Sequence, residues 1–361
     1  MGARIFNFNP GPAMLPYEVL EQSAKDMVNF QETGMGLLEI SHRSREFMAV
    51  TEQAEKLLRE LLAIPDNYKV LFLQGGASSQ FYMIPMNFLG KGKKATYLNT
   101  GTWAKKAITE ATLFGEIDIG FSSEQENYNR VPSADEYTVS EESEFLYFVS
   151  NNTIYGTQFH SLPKTEKMLF SDMSSDILSR ELDISRFGLI FAGAQKNLGP
   201  AGVTIVIIRN DLLDRVPGDI PTMLSYKTHA DKHSMFNTPP CFAIYVVGEV
   251  LKWLKKQGGI SRIAQINDEK AKLLYDAIDS GDYYRAHAEV ASRSKMNVTF
   301  NLPSTKLEQQ FIAEAGLRGL SGLKGHRSIG GCRASIYNAF PLEGVTRLVE
   351  FMHEFEQKNP L

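Results

Sequence analysis

The sequence predicts an α/β fold, with a large and mostly parallel sheet domain followed by a smaller α+β domain. Three observations carry this. From residue 69 to residue 208, short β-branched and aromatic runs alternate with helical patterns. After Gly258-Gly259 that texture changes, and a glycine pair is a natural helix end. Finally, a lone lysine, Lys196, stands between two apolar runs, 187–192 and 203–208, that read as buried strands.

The elements follow in order. Residues 1–15 form an arm rich in Asn, Gly and Pro. Pro16 starts a helix over 17–32. A second helix covers 46–64, where Phe47, Val50, Ala54, Leu57, Leu58, Leu61 and Leu62 keep helical spacing. Strands at 69–73 and 94–98 are followed by helices at 79–89 and 102–114, the first with Pro85 inside it. Further strands are expected at 144–149, 167–170, 187–192 and 203–208. A long helix over 239–257 closes the large domain, which we bound at 16–258. The smaller domain, 259–361, has helices near 260–280, 306–315 and 342–357 and strands near 295–302 and 333–337.

Bulk properties narrow the function classes. A chain of 361 residues can bury a large core. Its net charge of -4 gives no reason to expect nucleic acid or an anionic membrane surface as a partner. Two cysteines argue against a disulfide framework and fit a reducing compartment. The start has no basic region followed by an apolar one, so no secretion signal is expected, and Phe6 stands where a myristoylation signal needs Ser or Thr. No apolar run is long enough to span a bilayer. The expected location is the cytoplasm, and we assign no metal ligands.

Four features could meet at the strand ends of one sheet. The run Gln74-Gly-Gly-Ala77-Ser78-Ser-Gln80 follows a strand and opens a helix. Its small residues and free N–H groups suit a phosphate, although serine caps on an ordinary turn would look the same. It is neither a Walker A loop nor G-x-G-x-x-G. Trp103 sits just inside a helix and could stack on a planar ring or simply fill core. Asp172 ends a strand and could cap the next turn or face a ligand cation. Pyridoxal phosphate needs such a carboxylate at its ring nitrogen. Lys196 is either a turn lysine bending to solvent or a buried amine with Schiff-base chemistry. Thr153, after another strand, could bond a ring substituent or cap a turn.

Longer motifs carry a resemblance. They are Phe6-Asn-Phe-Asn-Pro-Gly-Pro-Ala-Met-Leu-Pro16, Ser41-His-Arg-Ser-Arg-Glu-Phe47, Ala192-Gly-Ala-Gln-Lys-Asn-Leu-Gly-Pro-Ala-Gly202 and Gly325-His-Arg-Ser-Ile-Gly-Gly-Cys-Arg-Ala-Ser-Ile-Tyr-Asn338. With these the chain resembles, nearly end to end, the phosphoserine aminotransferase family of fold-type-I pyridoxal-phosphate enzymes. The resemblance implies pyridoxal 5'-phosphate as cofactor. It also implies amino transfer between L-glutamate and 3-phosphohydroxypyruvate in a homodimer with active sites at the subunit interface. In bacteria the family can also act on a phosphorylated oxo acid of vitamin B6 synthesis.

By the same resemblance, Lys196 matches the Schiff-base lysine, Asp172 the ring-nitrogen partner, Trp103 the stacking ring and Thr153 the threonine beside it. Ala77, Ser78 and Gln195 match positions at the cofactor phosphate. Asn237 and Thr238 match residues that reach the neighbouring subunit's cofactor, and Thr238-Pro239 reads locally as a helix cap and first turn. His42, Arg43 and Arg333 match substrate-binding residues, and His326 and Arg327 a loop that reaches the other subunit's substrate phosphate. Arginine suits such anions because it binds them in a bidentate way. Some members carry an arginine where this chain has Ser78, and Arg45 is the residue that could substitute.

Three rivals remain at this stage. A cysteine desulfurase-like lyase would use Cys332 in the glycine-rich loop. An aminotransferase for unphosphorylated acids would lack phosphate selectivity. A binding protein would have kept the fold without the reaction.

Overall fold

The computed structural model describes residues 4–360, so the first three residues of the expected arm and the last residue of the smaller domain lie outside the described residues. At its centre is a seven-stranded sheet. Across the sheet the strands run Tyr68–Leu73, Thr204–Arg209, Phe187–Gly193, Met168–Asp172, Ser143–Val149, Lys94–Asn99 and Glu116–Ser122. Five consecutive neighbours, from Phe187–Gly193 to Glu116–Ser122, pair in parallel. Only Thr204–Arg209 runs antiparallel to both of its neighbours. The expected mostly parallel, doubly covered sheet is therefore the one found.

Alternating side chains feed two cores. In the strand Phe187–Gly193, Ile190 and Ala192 join the core beneath the helices Arg45–Leu62 and Cys241–Lys256. Leu189 and Phe191 join the opposite core, beneath Gly76–Phe88 and Thr102–Ala111. A strand buried on both faces reads as a continuous apolar run, which is why it was legible in the sequence. Parallel strands also bring their C-terminal ends to one edge. Asp172 pairs with Val149 on one side and Phe191 on the other, so three strand ends lie there together.

Against this edge packs a second layer. It is an antiparallel sheet of Arg285–Ala286, Asn297–Asn301 and Cys332–Ser335, covered by Gly259–Asp279, Thr305–Leu317 and Leu342–Lys358. The arm belongs to this layer: Phe6–Asn7 pairs with Leu320–Ser321, and Phe8 and Met14 enter its core.

Some expectations need correction. The first helix ends at Val28, and a separate 3-10 turn, Phe30–Glu32, follows. The helix after the glycine-rich run begins at Gly76, so Ala77 and Ser78 lie in its first turn. The edge strand Glu116–Ser122 was not expected, because its half-exposed sequence lacks an apolar run. Thr238-Pro239 is not a cap and first turn. The helix starts at Cys241, with Pro240 at the capping position. A residue before proline is disfavoured in the α region, so Pro239 cannot begin a helix that Pro240 would continue.

Lys270 is fully buried inside the second layer. Its Nζ donates to the carbonyls of Ile336, Tyr337 and Phe340 at 2.9, 2.7 and 3.1 Å. Lys270→Met should leave three carbonyls unsatisfied and cost about 3 kcal/mol of unfolding free energy. Urea denaturation would show this as a lower midpoint, and an unchanged midpoint would contradict it.

Candidate active site

The C-terminal edge of the sheet holds a cavity of about 160 Å³ whose walls include Gly76, Ala77, Ser78, Trp103, Asp172, Gln195 and Lys196. Larger depressions on the surface, of about 530 and 660 Å³, do not include this set of residues.

One wall is the start of the helix Gly76–Phe88. Gly75 and Gly76 have φ of +90° and +66°, which favours glycine. A Cβ on Gly75 would lie 2.0 Å from Ser79 Oγ, whereas one on Gly76 would meet nothing within 4 Å. The backbone N–H groups of a first helical turn lack intrahelical partners and, with the helix dipole, favour an anion.

Asp172 and Lys196 define the chemistry. Asp172 is buried, and its Oδ1 accepts a 2.9 Å bond from the Ser174 N–H. Burial raises the Asp172 pKa, while the Lys196 charge opposes that shift. Lys196 follows the strand Phe187–Gly193 into the turn leading to the antiparallel strand, and its Nζ donates to Thr153 Oγ1 at 2.7 Å. Burial lowers its pKa to about 8, Asp172 pulls it back up, and Arg333 pushes it further down.

Arg333 comes from the second layer. It is buried, it donates from an Nη to the Thr153 carbonyl at 3.1 Å, and its Nε has no partner. Thr153 thus bridges Lys196 and Arg333. Among the described residues no carboxylate pairs with Arg333, and a buried guanidinium without a counter-charge is an anion site. Trp103 is half-buried on the cavity wall with its Nε1 also unpartnered.

The remaining expected residues lie further out. His42 and Arg43 occupy the turn before the helix Arg45–Leu62, whose start Ser44 caps. His42 Nε2 is buried without a partner, and Arg43 and Arg45 are exposed. Neither arginine lines the cavity. Asn237 approaches it indirectly, with its Oδ1 within 3.5 Å of Gln74 Nε2. Thr238 is not on the cavity wall. His326 and Arg327 sit in the loop before Arg333, where His326 Nδ1 meets Ser328 Oγ at 2.9 Å. Burial lowers the His326 pKa, as do the charges of Arg333, Arg327 and Lys106. Lys106, which the sequence reading passed over, lies 4.9 Å from the Trp103 ring centre.

The sequence reading also missed Asn151, Ser174 and Ser175 on the cavity wall. The two serines follow Asp172 with only Met173 between, and that proximity was the available signal. Cys332 is fully buried at the start of a strand, and burial pushes its thiol pKa up. That is not the mobile, reactive cysteine a desulfurase requires.

The family model for aminotransferase class-V matches residues 5–348, and the chain belongs to the class-V aminotransferases. A phosphoserine aminotransferase of Desulfotalea psychrophila is 70% identical over 360 residues, covering 100% of both chains. One from Geobacillus kaustophilus is 53% identical over 98% of this chain and 99% of its own. A solved phosphoserine aminotransferase, studied for radiation damage of its Schiff base, matches with a TM-score of 0.97 at 51% identity, covering 99% of this chain and 100% of that one. A PLP-bound phosphoserine aminotransferase from Trichomonas vaginalis matches at a TM-score of 0.93 and 40% identity, covering 97% and 100%. Within its class, the chain is a member of the phosphoserine aminotransferase family.

The lowered Lys196 pKa has a kinetic consequence. Were Lys196 the amine that condenses with the cofactor's aldehyde, only its free form could attack, so cofactor uptake by the cofactor-free protein should quicken as pH rises through about 8 and then level off. Stopped-flow absorbance would follow it. A rate still climbing near the ordinary lysine value of about 10.4 would contradict the assignment.

Proposed function

We infer that the protein is a pyridoxal-phosphate-dependent phosphoserine transaminase. It moves the amino group between L-glutamate and 3-phosphohydroxypyruvate, giving O-phospho-L-serine and 2-oxoglutarate. The observation that carries this reading is one cavity shared by a half-buried Lys196, a buried Asp172 and a helix start suited to phosphate. The family's named relatives support the substrate choice.

The donor set fits the cofactor. Lys196 would bond its aldehyde, Asp172 would pair with its ring nitrogen, and Trp103 would stack on the ring. Ala77, Ser78 and Gln195 would hold its phosphate, with Thr153 beside the ring. When bound, the cofactor supplies an aldehyde that condenses with amines and a ring that accepts the electrons released at the substrate Cα.

The chain's own groups do the rest. Arg333 takes the substrate α-carboxylate in a bidentate grip, which points Cα toward Lys196. Lys196 Nζ, freed when the substrate amine takes its place, would take the Cα proton and hand it to the former aldehyde carbon of the cofactor, so that the oxo acid can leave while the amino group stays behind. A low pKa suits that transfer, because the amine must be free to accept and acidic enough to give up the proton. Asp172 stays anionic against the positive charge at the ring nitrogen. His42, Arg43, His326 and Arg327 would select the distal phosphate.

We place Asn237, Thr238, His326 and Arg327 across the interface of a homodimer, serving the neighbouring site. The exposed or cavity-remote position of these residues in the single chain supports that arrangement. The enzyme is assigned to the cytoplasm, where Cys241 and Cys332 stay as free thiols. Among the described residues, no helix is long and apolar enough to cross a membrane.

The purified protein should absorb visible light, and O-phospho-L-serine should bleach that absorption while unphosphorylated serine does so far more slowly. Equal bleaching by both would favour an enzyme for unphosphorylated acids. Lys196→Ala should lose the absorption and lower turnover by at least ~10³-fold. Near wild-type turnover would refute the assignment. Cys332→Ala should retain transamination within about threefold, and sulfide release from cysteine that this change abolishes would instead favour the lyase.

A further inference from the structure

Behind the cavity lies a chain of buried amides that no role above uses. Asn197 directly follows Lys196 and is buried. Its Nδ2 donates to the Ser175 carbonyl at 3.1 Å, in the loop that follows Asp172. Its Oδ1 accepts from the Asn338 N–H at 3.0 Å, in the second layer. Asn338 in turn donates from Nδ2 to the Leu178 carbonyl at 3.0 Å and accepts at Oδ1 from Asn267 at 2.8 Å. Lys270 clamps the segment around Asn338 through the carbonyls of Ile336, Tyr337 and Phe340.

Three loops therefore meet at two asparagines. One carries Lys196, one follows Asp172, and one follows the strand that carries Arg333. Buried amides with both ends satisfied fix a unique geometry, because any shift strands a polar group. Transamination requires the substrate carboxylate, held by Arg333, and the proton-carrying amine of Lys196 to keep a set separation. An error of about 1 Å in such a separation can cost about 100-fold in rate. Neither asparagine side chain lines the cavity.

We propose that Asn197, braced by Asn338, is a positioning residue for the transamination. By tying the Lys196 turn to both the Asp172 loop and the Arg333 layer, it sets the height of the Lys196 amine over the substrate Cα. This rests on Lys196 as the proton carrier.

Asn197→Ala should lower kcat about 30-fold with both substrates while KM changes less than about threefold. The primary isotope effect with Cα-deuterated glutamate should rise as proton transfer becomes limiting. In the cofactor-free protein, the pH midpoint of cofactor uptake should move away from that of wild type. Asn338→Ala should act in the same direction, and the double variant should lose no more than about twofold beyond Asn197→Ala, because both act through one link. Should Asn197→Ala fail to fold, Asn267→Ala, at the outer end of the chain, carries the test with a loss of about fivefold. An unchanged isotope effect and uptake midpoint in a folded variant would overturn the proposal, leaving only a structural brace. Multiplicative losses in the double variant would overturn it too. A wild-type protein inert toward phosphoserine would instead refute the functional reading itself.

Discussion

The structure depends on a half-buried lysine set at the same cavity as a buried carboxylate. An ammonium group held in a low dielectric is costly, and so is a carboxylate. Each lowers the other's cost, yet burial dominates both, leaving Lys196 easier to deprotonate and Asp172 easier to protonate than usual. Such a pair would be a poor choice for stability alone. It is well suited to a site where the lysine must become neutral and the carboxylate must meet a new positive charge. The fold tolerates the pair because parallel strands deliver both residues to one edge. The antiparallel strand Thr204–Arg209 then returns the chain, so Lys196 sits in a tight turn instead of leaving along a crossover.

Two layers share that edge. The sheet supplies Asp172 and Lys196, and the second layer supplies Arg333. Thr153 touches both cations, its hydroxyl toward Lys196 and its carbonyl toward Arg333. The arm adds a further tie, since Pro10 accepts from the Tyr337 hydroxyl at 2.6 Å and Ala13 donates to the Gln195 carbonyl at 2.9 Å. An N-terminal segment that reads as irregular in sequence is thus fastened to the second layer and to Gln195, the residue before Lys196. The boundary expected at residue 15 separates it in sequence, but its strand and its aromatic residues pack with the C-terminal layer.

How much of this the sequence revealed depends on how local each cause is. Phe187–Gly193 was legible because a strand buried on both faces must be apolar throughout. Asp172 and Lys196 were legible as strand-end residues, and the long motif around Lys196 was one of four that carried the family resemblance. Glu116–Ser122 was not legible, since an edge strand needs little apolar sequence, and Gly120 breaks its pattern. That glycine is required: a Cβ there would lie 2.2 Å from the Thr138 carbonyl. Thr238-Pro239 misled because cap and first-turn preferences are local, and the second proline overrides them. The amide chain through Asn197, Asn338 and Asn267 joins residues far apart in sequence. No spacing rule could have shown it, although Asn197 and Asn338 both fell inside the quoted motifs.

Charge distribution links the fold to substrate choice. The chain as a whole is acidic, yet among the described residues Arg333 and Lys106 pair with no carboxylate. The adjacent Lys105, by contrast, is paired with Glu124. Leaving one of two neighbouring lysines unpaired, and resting it on the Trp103 ring, keeps a positive charge available without neutralising it. Lys106 is exposed, so water and salt screen its field. A substrate with anions at both ends, carboxylate or phosphate, can meet the buried Arg333 guanidinium with one of them and needs a further cation for the other. The unpaired Arg333 guanidinium therefore accounts for holding one anion, and choosing a phosphate at the other end needs further cations.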